Sequence, residues 1–249
     1  MRSGLGIGVE ALARWMRPNG EHVPPSVFIE IAERNGLIAE LGEWALQSAC
    51  EEVALWTDPG ERLSTLSVNV STHQVNLLFC AALERIIDRT GFAAERLELE
   101  ITESVLFADP KLALECLSRW KDLGVCIALD DFGTGYCSLS YLSRLPVDRV
   151  KLDKSFTQTI AWDRRNAVIV RAVIDLCHEM DITVLAEGVE TEAQFALLNE
   201  YGCGQAQGYL LASPAAASEA RALLRKRWGH RVGAATPPSI SLEEACYAS

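Results

Sequence analysis

The stretch "VCIALDDFGTGYCSLSYL" at residues 125–142 places two adjacent carboxylates between an apolar run and a loop that contains two glycines. The apolar run predicts a buried strand. Asp130 and Asp131 then stand side by side. Neighbouring carboxylates repel each other, and burial raises their pKa unless a positive group lies close to them. The stretch therefore predicts either an exposed strand end or a site that holds a cation.

Short apolar runs alternate with amphipathic segments along the rest of the chain. The predicted strands are 7–13, 65–70, 97–101, 125–130, 148–152, 182–186 and 203–208. The predicted helices are 26–35, 40–56, 74–90, 110–123, 138–144, 165–180, 191–201 and 215–228. Strands that alternate with helices indicate parallel β/α units. Seven such units favour an α/β fold of the TIM-like (β/α)8 barrel type, one strand short, over an open doubly wound sheet.

Composition and charge narrow the class of protein. The net charge of −11 argues against a general surface for DNA or RNA, which would be basic. The sequence contains no run of about 18 apolar residues, the length that a membrane-spanning helix needs. We therefore expect this chain itself to make no contact with a membrane. The eight cysteines include no C-x-x-C pair, so reduced thiols are favoured over disulfides or zinc. Any metal site would then be built from oxygen ligands, which favours Mg²⁺ or Mn²⁺.

Polar residues, most of them acidic, stand at or near the ends of the predicted strands. They are Glu10, Asn69, Glu100, Glu103, Asp130, Asp131, Lys151, Asp153, Glu187, Glu190 and Gln207. Any one of them could be a helix cap or a solvated turn residue, and Glu98 and Glu100 could belong to a half-exposed strand. Together, converging carboxylates would repel strongly without a cation. A pair of divalent metals, the usual clamp for attack on a phosphodiester, resolves that repulsion.

Seven motifs then occur in order along the chain. They are "EALARW" at 10–15, "VNVSTHQ" at 68–74, "LELEITES" at 97–104, "DDFGTGYCSL" at 130–139, "VKLDKSF" at 150–156, "AEGVETEAQ" at 186–194 and "QGYLLASP" at 207–214. This ordered set resembles the EAL domain, a family of phosphodiesterases of the bacterial second messenger cyclic di-GMP, over about residues 8–225. The resemblance implies a TIM-like barrel with one antiparallel strand. It also implies Mg²⁺- or Mn²⁺-dependent hydrolysis of one phosphodiester bond, giving the linear dinucleotide pGpG.

The resemblance implies a role for each strand-end residue. The ligands implied for a first metal are Glu10, Asn69, Glu100 and Asp130. The ligands implied for a second metal are Asp130, Asp131 and Glu187. The implied catalytic residues are Lys151, which would hold the attacking water, Glu187, which would act as its base, and Gln207, which would support the metal-water network. The implied substrate contacts are Leu12, Arg14, Asp153 and Glu190, with Arg14 meeting a phosphate. Glu103 resembles the residue that steadies the loop after Asp131.

Two features depart from the family pattern. Only nine residues precede Glu10, where family members usually carry a further strand. The prediction of seven strands in place of eight would be explained by a trimmed segment, a disordered segment or a barrel that closes differently. Cys137 stands where serine is usual, and this nearly isosteric change is expected to have a small effect.

Two other functions stay open at this point. Relatives that bind the dinucleotide without cutting it typically lack metal ligands, whereas every motif acid is present here, which favours the hydrolase over a binding or regulatory module. An unrelated metal-dependent barrel enzyme is the third interpretation. The expected domain covers 1–228, and 229–249 is expected to be a C-terminal extension.

The expected partners and location follow from the resemblance as well. Segment 165–180 is apolar around most of its circumference, which predicts either a helix packed on the barrel or part of a homodimer interface within 134–180. The family is commonly fused to sensor or cyclase domains. We therefore expect a bacterial cytoplasmic location, either alone or as the cytosolic part of a larger, membrane-anchored protein.

Overall fold

The computed structural model describes residues 6–56, 63, 65–105, 109–135 and 142–224. Several predictions fall outside these residues. They are most of the helix at 138–144, the loop residue Cys137, and the extension at 229–249.

Seven strands form one sheet in their order along the chain. They are β1 (Gly8–Ala11), β4 (Thr65–Asn69), β5 (Leu97–Thr102), β6 (Cys126–Phe132), β7 (Arg149–Leu152), β8 (Thr183–Ala186) and β9 (Gln205–Ala206). All seven predicted strands are confirmed, although the last is only two residues long. The strand order never reverses, which excludes the doubly wound alternative because that fold requires a switch in strand order.

The sheet curls so that its first and last strands approach each other. Gln207, directly after β9, donates from Nε2 to Oε2 of Glu10 on β1 over 2.8 Å. Within the described residues every pairing in this sheet is parallel, so the antiparallel barrel strand implied by the resemblance has no counterpart there. A separate antiparallel pair, β2 (Trp15–Met16) and β3 (His22–Val23), was not predicted, since two-residue strands show no alternation.

Helices connect the strands. They are α1 (Pro25–Arg34), α2 (Ile38–Ala54), α3 (Leu77–Thr90), α4 (Pro110–Asp122), α5 (Lys154–Thr159), α6 (Arg164–Glu179), α7 (Glu192–Glu200) and α8 (Ala217–Leu224). Asp109 begins α4 by accepting hydrogen bonds from the backbone nitrogens of Lys111 and Leu112. The short helix α5 was not predicted. In the part of the chain that the structure describes, no helix is both long and apolar enough to cross a membrane.

The main core lies between the outer face of the sheet and the helices. Leu97, Leu99 and Ile101 alternate along β5 and are almost fully buried on this face. Trp120 of α4 is fully buried, and its ring packs edge-on against Phe79 of α3 with centroids 5.7 Å apart. Each such side chain contributes about 1.5–3 kcal/mol by leaving water. The opposite face of the sheet points into the barrel, where the polar residues lie.

Helix α6 packs on this core along one side. Val170, Ile174 and Cys177 are fully buried, as the packed-helix interpretation predicts. Val168 and Ile169 remain 62% and 50% exposed. The described cysteines are free thiols, and most of them are buried.

Candidate active site

The predicted site residues gather at one end of the barrel. Because neighbouring strands are parallel, their carboxyl ends lie at the same edge of the sheet. The residues at this edge are Glu10 on β1, Asn69 on β4, Glu100 on β5, Asp130 on β6, Lys151 on β7, Glu187 after β8 and Gln207 after β9. The fold therefore brings together side chains that are up to 197 residues apart in sequence.

Lys151 lies at the centre of this group and is 1% exposed. Its Nζ is 2.7 Å from Glu100 Oε2 and 2.8 Å from Glu187 Oε1. Asp130 Oδ1 follows at 3.2 Å and Glu10 Oε2 at 3.8 Å. We call Lys151 and these four acids the upper cluster. One ammonium group faces four carboxylates, so the cluster carries an excess of negative charge.

Two amides orient Glu10, one on the neighbouring strand β4 and one after β9 at the far end of the sheet. Asn69 Nδ2 donates to Glu10 Oε1 over 2.8 Å, and Gln207 Nε2 donates to Glu10 Oε2 over the same distance. Both carboxylate oxygens are therefore oriented by neutral donors, which leaves the charge of Glu10 without full compensation. The role predicted for Gln207 in a metal-water network stays a prediction.

A bulge in β6 brings the two adjacent aspartates to the same site. Neighbouring residues of a regular strand point to opposite faces, but the pairing with β7 shifts between Leu129 and Phe132. Asp131 has a φ of 52°, in the left-handed region that few non-glycine residues adopt. As a result, carboxylate oxygens of Asp130, Asp131 and Glu187 all lie within 4.8 Å of one another.

The electrostatics of the site reflect burial and crowding. Burial raises the pKa of Glu100 to about 8; Lys151 opposes this rise, and Glu10 and Asp130 add to it. Burial is also the main cause of the raised pKa of Glu187 and of Asp131. Burial alone would lower the pKa of Lys151, but the surrounding carboxylates outweigh it and raise that pKa. The lysine therefore stays charged, and the acids lack enough positive charge around them.

The donor set fits a hard divalent cation. Asp130 Oδ1 is buried and, within the described residues, accepts no hydrogen bond of normal geometry, although Lys151 Nζ is 3.2 Å away. A buried carboxylate oxygen without a hydrogen bond is costly, and a cation would satisfy it. The neighbouring oxygen atoms belong to carboxylates and an amide, which are the ligand types that Mg²⁺ and Mn²⁺ prefer.

The remaining predicted residues surround the upper cluster. Asp153 caps α5 by accepting from the backbone nitrogen of Ser155 over 2.9 Å, and its charge helps to raise the pKa of Asp131. Glu103 is buried, and its Oε1 accepts a hydrogen bond from the backbone nitrogen of Gly133 over 3.0 Å. Glu103 is therefore bonded to the loop that follows the two aspartates.

The structure leaves three predicted substrate contacts at the surface. Leu12, Arg14 and Glu190 are exposed. Arg14 Nη1 donates to the backbone oxygen of its neighbour Ala13 over 3.0 Å, and among the described side chains it pairs with no carboxylate. An exposed guanidinium after β1 is available to an external anion.

Sequence reasoning missed a second ion pair inside the barrel. Glu98 is 1% exposed, so the half-exposed interpretation of the β5 alternation is wrong: Glu98 and Glu100 face the barrel interior. Arg149 Nη1 donates to Glu98 Oε1 over 2.6 Å, and Ser67 Oγ donates to the same oxygen over 2.7 Å. We call Glu98 and Arg149 the lower pair. The spacing of Arg149 and Lys151, two residues apart on one strand, is the signal that could have found it.

A curled parallel sheet with carboxylates and amides converging at its carboxyl ends defines the class of β/α-barrel proteins, in which such an arrangement is typical of metal-dependent sites. The sequence model of the family described as the EAL domain matches residues 1–214, and the chain belongs to that family. The chain is 39% identical over 218 residues to the bifunctional diguanylate cyclase/cyclic di-GMP phosphodiesterase MucR of Pseudomonas aeruginosa, covering 87% of this chain and 32% of MucR. It is 38% identical over 207 residues to the cyclic di-GMP phosphodiesterase PdeR of Escherichia coli, covering 83% of this chain and 31% of PdeR.

A solved structure gives the same family. The PaMucR phosphodiesterase in complex with c-di-GMP superposes with a TM-score of 0.81 at 40% identity, covering 86% of this chain and 87% of that one. The curated relatives are longer proteins: this chain spans 26% to 37% of their lengths.

Proposed function

We propose that this chain hydrolyses one phosphodiester bond of cyclic di-GMP and releases linear pGpG, with two Mg²⁺ or Mn²⁺ ions as cofactors. The observation on which the proposal depends is the upper cluster, in which four carboxylates surround one buried lysine. The similarity to MucR and PdeR, which are cyclic di-GMP phosphodiesterases, supports the choice of substrate.

The proposed ligands divide into two sets that share Asp130. The first set is Glu10, Asn69, Glu100 and Asp130. The second set is Asp130, Asp131 and Glu187, whose oxygens already lie within 4.8 Å of one another. Divalent ions bound by these sets would lower the pKa of a water molecule and offset the charge of the phosphate.

Lys151 and Glu187 are proposed to handle the attacking water. Lys151 Nζ has three donors and a permanent charge, so it can orient a water oxygen or offset negative charge on the phosphate. Glu187 lies 2.8 Å from that ammonium and is the proposed proton acceptor. The water oxygen bonds to phosphorus, the bond from phosphorus to the 3′ oxygen breaks, and the freed 3′ oxygen takes up a proton. The product therefore keeps a 5′ phosphate.

The residues around the cluster are proposed to orient the substrate. Gln207 holds Glu10, and the exposed Arg14 is suited to form a fork with phosphate oxygens. Leu12, Asp153 and Glu190 are the other proposed substrate contacts. Glu103 is proposed to steady the loop after Asp131 through its bond to Gly133. A chain with a net charge of −11 needs such cationic groups to accept a dianionic substrate.

The wider setting of the chain is also a proposal. We infer a domain over 1–228 with an extension at 229–249, within a longer bacterial signalling protein that carries sensor or cyclase domains and faces the cytoplasm. The partial coverage of the relatives supports the longer parent. A homodimer through segment 134–180 is supported by the exposed Val168 and Ile169 on α6, and no DNA or RNA partner is proposed. Light scattering at high concentration would contradict the dimer if it found only a monomer.

Product analysis tests the proposed activity. Incubation of the chain with cyclic di-GMP and either Mg²⁺ or Mn²⁺, followed by chromatography, should yield pGpG. The matched control contains a chelator in excess and should leave the substrate intact. Tight binding of cyclic di-GMP with no pGpG after hours with either metal would contradict hydrolysis and support a binding module instead.

A further inference from the structure

The lower pair repeats the upper cluster one step deeper in the barrel. Glu98 precedes Glu100 by two residues on β5, and Arg149 precedes Lys151 by two residues on β7. Residues two apart on a strand share a face, so all four side chains point into the barrel. Arg149 Nη1 lies 2.6 Å from Glu98 Oε1, much as Lys151 Nζ lies 2.7 Å from Glu100 Oε2. Each pair thus joins β7 to β5.

Both pairs reach across the strand between them. β6 separates β5 from β7, and Ala128 of β6 is in register with Glu100 on one side and Arg149 on the other. Ala128 is fully buried and offers only a methyl group to the barrel interior. The small side chain leaves room for the long basic side chains to cross. A contact that spans three strands constrains their relative positions more than a contact between neighbours does.

Stability alone does not account for the lower pair. Burying two charges costs desolvation energy, and apolar residues of similar volume often stabilise a fold equally well. Arg149 Nε is also buried and has no hydrogen-bond partner in the described part of the chain, which adds a further cost. A pair held at such a cost is better explained by the geometry that it imposes.

The lower pair also separates two sets of charges. Arg149 and Ser67 both donate to one oxygen of Glu98, so this buried carboxylate has its own cation. Without Arg149, Glu98 would be an uncompensated charge on the face that it shares with Lys151. Removing Arg149 alone therefore changes the charge inside the barrel as well as the geometry.

We propose that Arg149 and Glu98 are positioning residues for the active site. They hold β5 and β7 so that Glu100 and Lys151 meet at the candidate metal site. The proposal deepens the proposed function and rests on it, because it concerns residues that bind metal and orient water there.

The test compares three variants by Mn²⁺ titration calorimetry, steady-state kinetics and thermal unfolding. Arg149→Met leaves Glu98 unpaired, Glu98→Gln with Arg149→Met removes both charges, and Arg149→Lys keeps the charge. We expect Arg149→Met and the double variant to lose on the order of tenfold in Mn²⁺ affinity, the low end of the loss that follows when the groups which orient metal ligands are removed. Their kcat should fall similarly while KM for cyclic di-GMP stays within about twofold, because the substrate contacts are untouched.

The double variant separates positioning from folding. It contains no unpaired buried charge, so its unfolding temperature should return to that of the unmodified chain while its Mn²⁺ affinity and kcat stay low. Arg149→Lys should retain most of the Mn²⁺ affinity and most of kcat. The control is Lys121→Met, which removes a part-exposed ion pair with Asp148 beside β7. It should change neither the Mn²⁺ affinity nor kcat.

Recovery of Mn²⁺ affinity and kcat in the double variant would overturn the proposal. The lower pair would then have only a structural role. The two proposals can fail separately. If no variant, nor the unmodified chain, produced pGpG, the proposed function would fail, while the Mn²⁺ affinities would still decide whether the lower pair positions the ligands.

Discussion

The two charged layers inside the barrel differ in how they are neutralised. In the lower pair, one guanidinium and one carboxylate are matched, and Ser67 completes the hydrogen bonding of Glu98 Oε1. In the upper cluster, four carboxylates share one ammonium, and burial raises the pKa of Glu100 to about 8. The same two strands therefore support both a balanced and an unbalanced arrangement. The comparison indicates that the imbalance belongs to the site and is not a general property of this barrel.

The largest expected effect comes from removing the one cation of the upper cluster. Lys151→Met leaves the carboxylates unpaired, so the metal-free chain should lose about 3–5 kcal/mol of unfolding free energy in urea. Turnover should fall by at least about a thousandfold, because a charge next to the reacting phosphate is lost. Lys111→Met, on the exposed surface of α4, is the control and should change neither value. Near-normal turnover in Lys151→Met would remove Lys151 from the mechanism.

Glu187→Gln should have the next largest effect. The amide keeps the shape of the side chain but accepts no proton, so turnover of cyclic di-GMP should fall by about a hundredfold or more. Unfolding should change little. The same substitution at the exposed Glu192, five residues along, is the matched control. A rate close to normal for Glu187→Gln would show that another group acts as the base.

The charge imbalance also predicts how the stability of the metal-free chain depends on pH. The pKa of Glu100 rises on folding from 4.5 to about 8, and those of Glu187 and Asp131 rise as well. The folded chain therefore binds more protons than the unfolded chain between these values, so its unfolding free energy should fall as pH rises through that window. Saturating Mg²⁺ should reduce this fall, because the cation replaces the protons.

Urea unfolding at about pH 5.5 and about pH 8, with chelator or with Mg²⁺, measures this dependence. Stability that increases over this range in the presence of chelator would contradict the account of the upper cluster.

The smallest expected effect concerns the backbone of Asp131. Its φ of 52° is tolerated by aspartate and asparagine but is strained for a β-branched residue. Both Asp131→Val and Asp131→Asn lose the carboxylate. The unfolding free energy of Asp131→Val should nevertheless be about 1–2 kcal/mol lower than that of Asp131→Asn. Equal stability of the two variants, measured by urea unfolding at pH 8, would mean that the bulge relaxes without the aspartate.

Much of the fold could be predicted because its signals are local. The apolar runs at 97–101 and 125–130 correspond to β5 and β6, and the predicted helix at 110–123 corresponds to α4. The strand-end acids could be placed together because parallel strands end at one edge. The position of Lys151 at the centre of these acids does not follow from that rule and is seen only in the structure.

The rest depends on contacts that the sequence does not display. Helix α5 has six residues, too few for a periodic pattern, and is fixed by the cap at Asp153. The left-handed backbone of Asp131 arises from a bulge in the pairing of β6 with β7. The lower pair joins residues 51 positions apart, and its burial depends on the curvature of the sheet.

The most direct test of the upper cluster is the location of bound metal. Crystals of the chain soaked in Mn²⁺ should show two anomalous scattering peaks, one on either side of the Asp130 carboxylate, with Glu10 and Glu100 near one and Asp131 and Glu187 near the other. An upper cluster without anomalous density at saturating Mn²⁺ would contradict the claim that its excess negative charge exists to bind divalent cations.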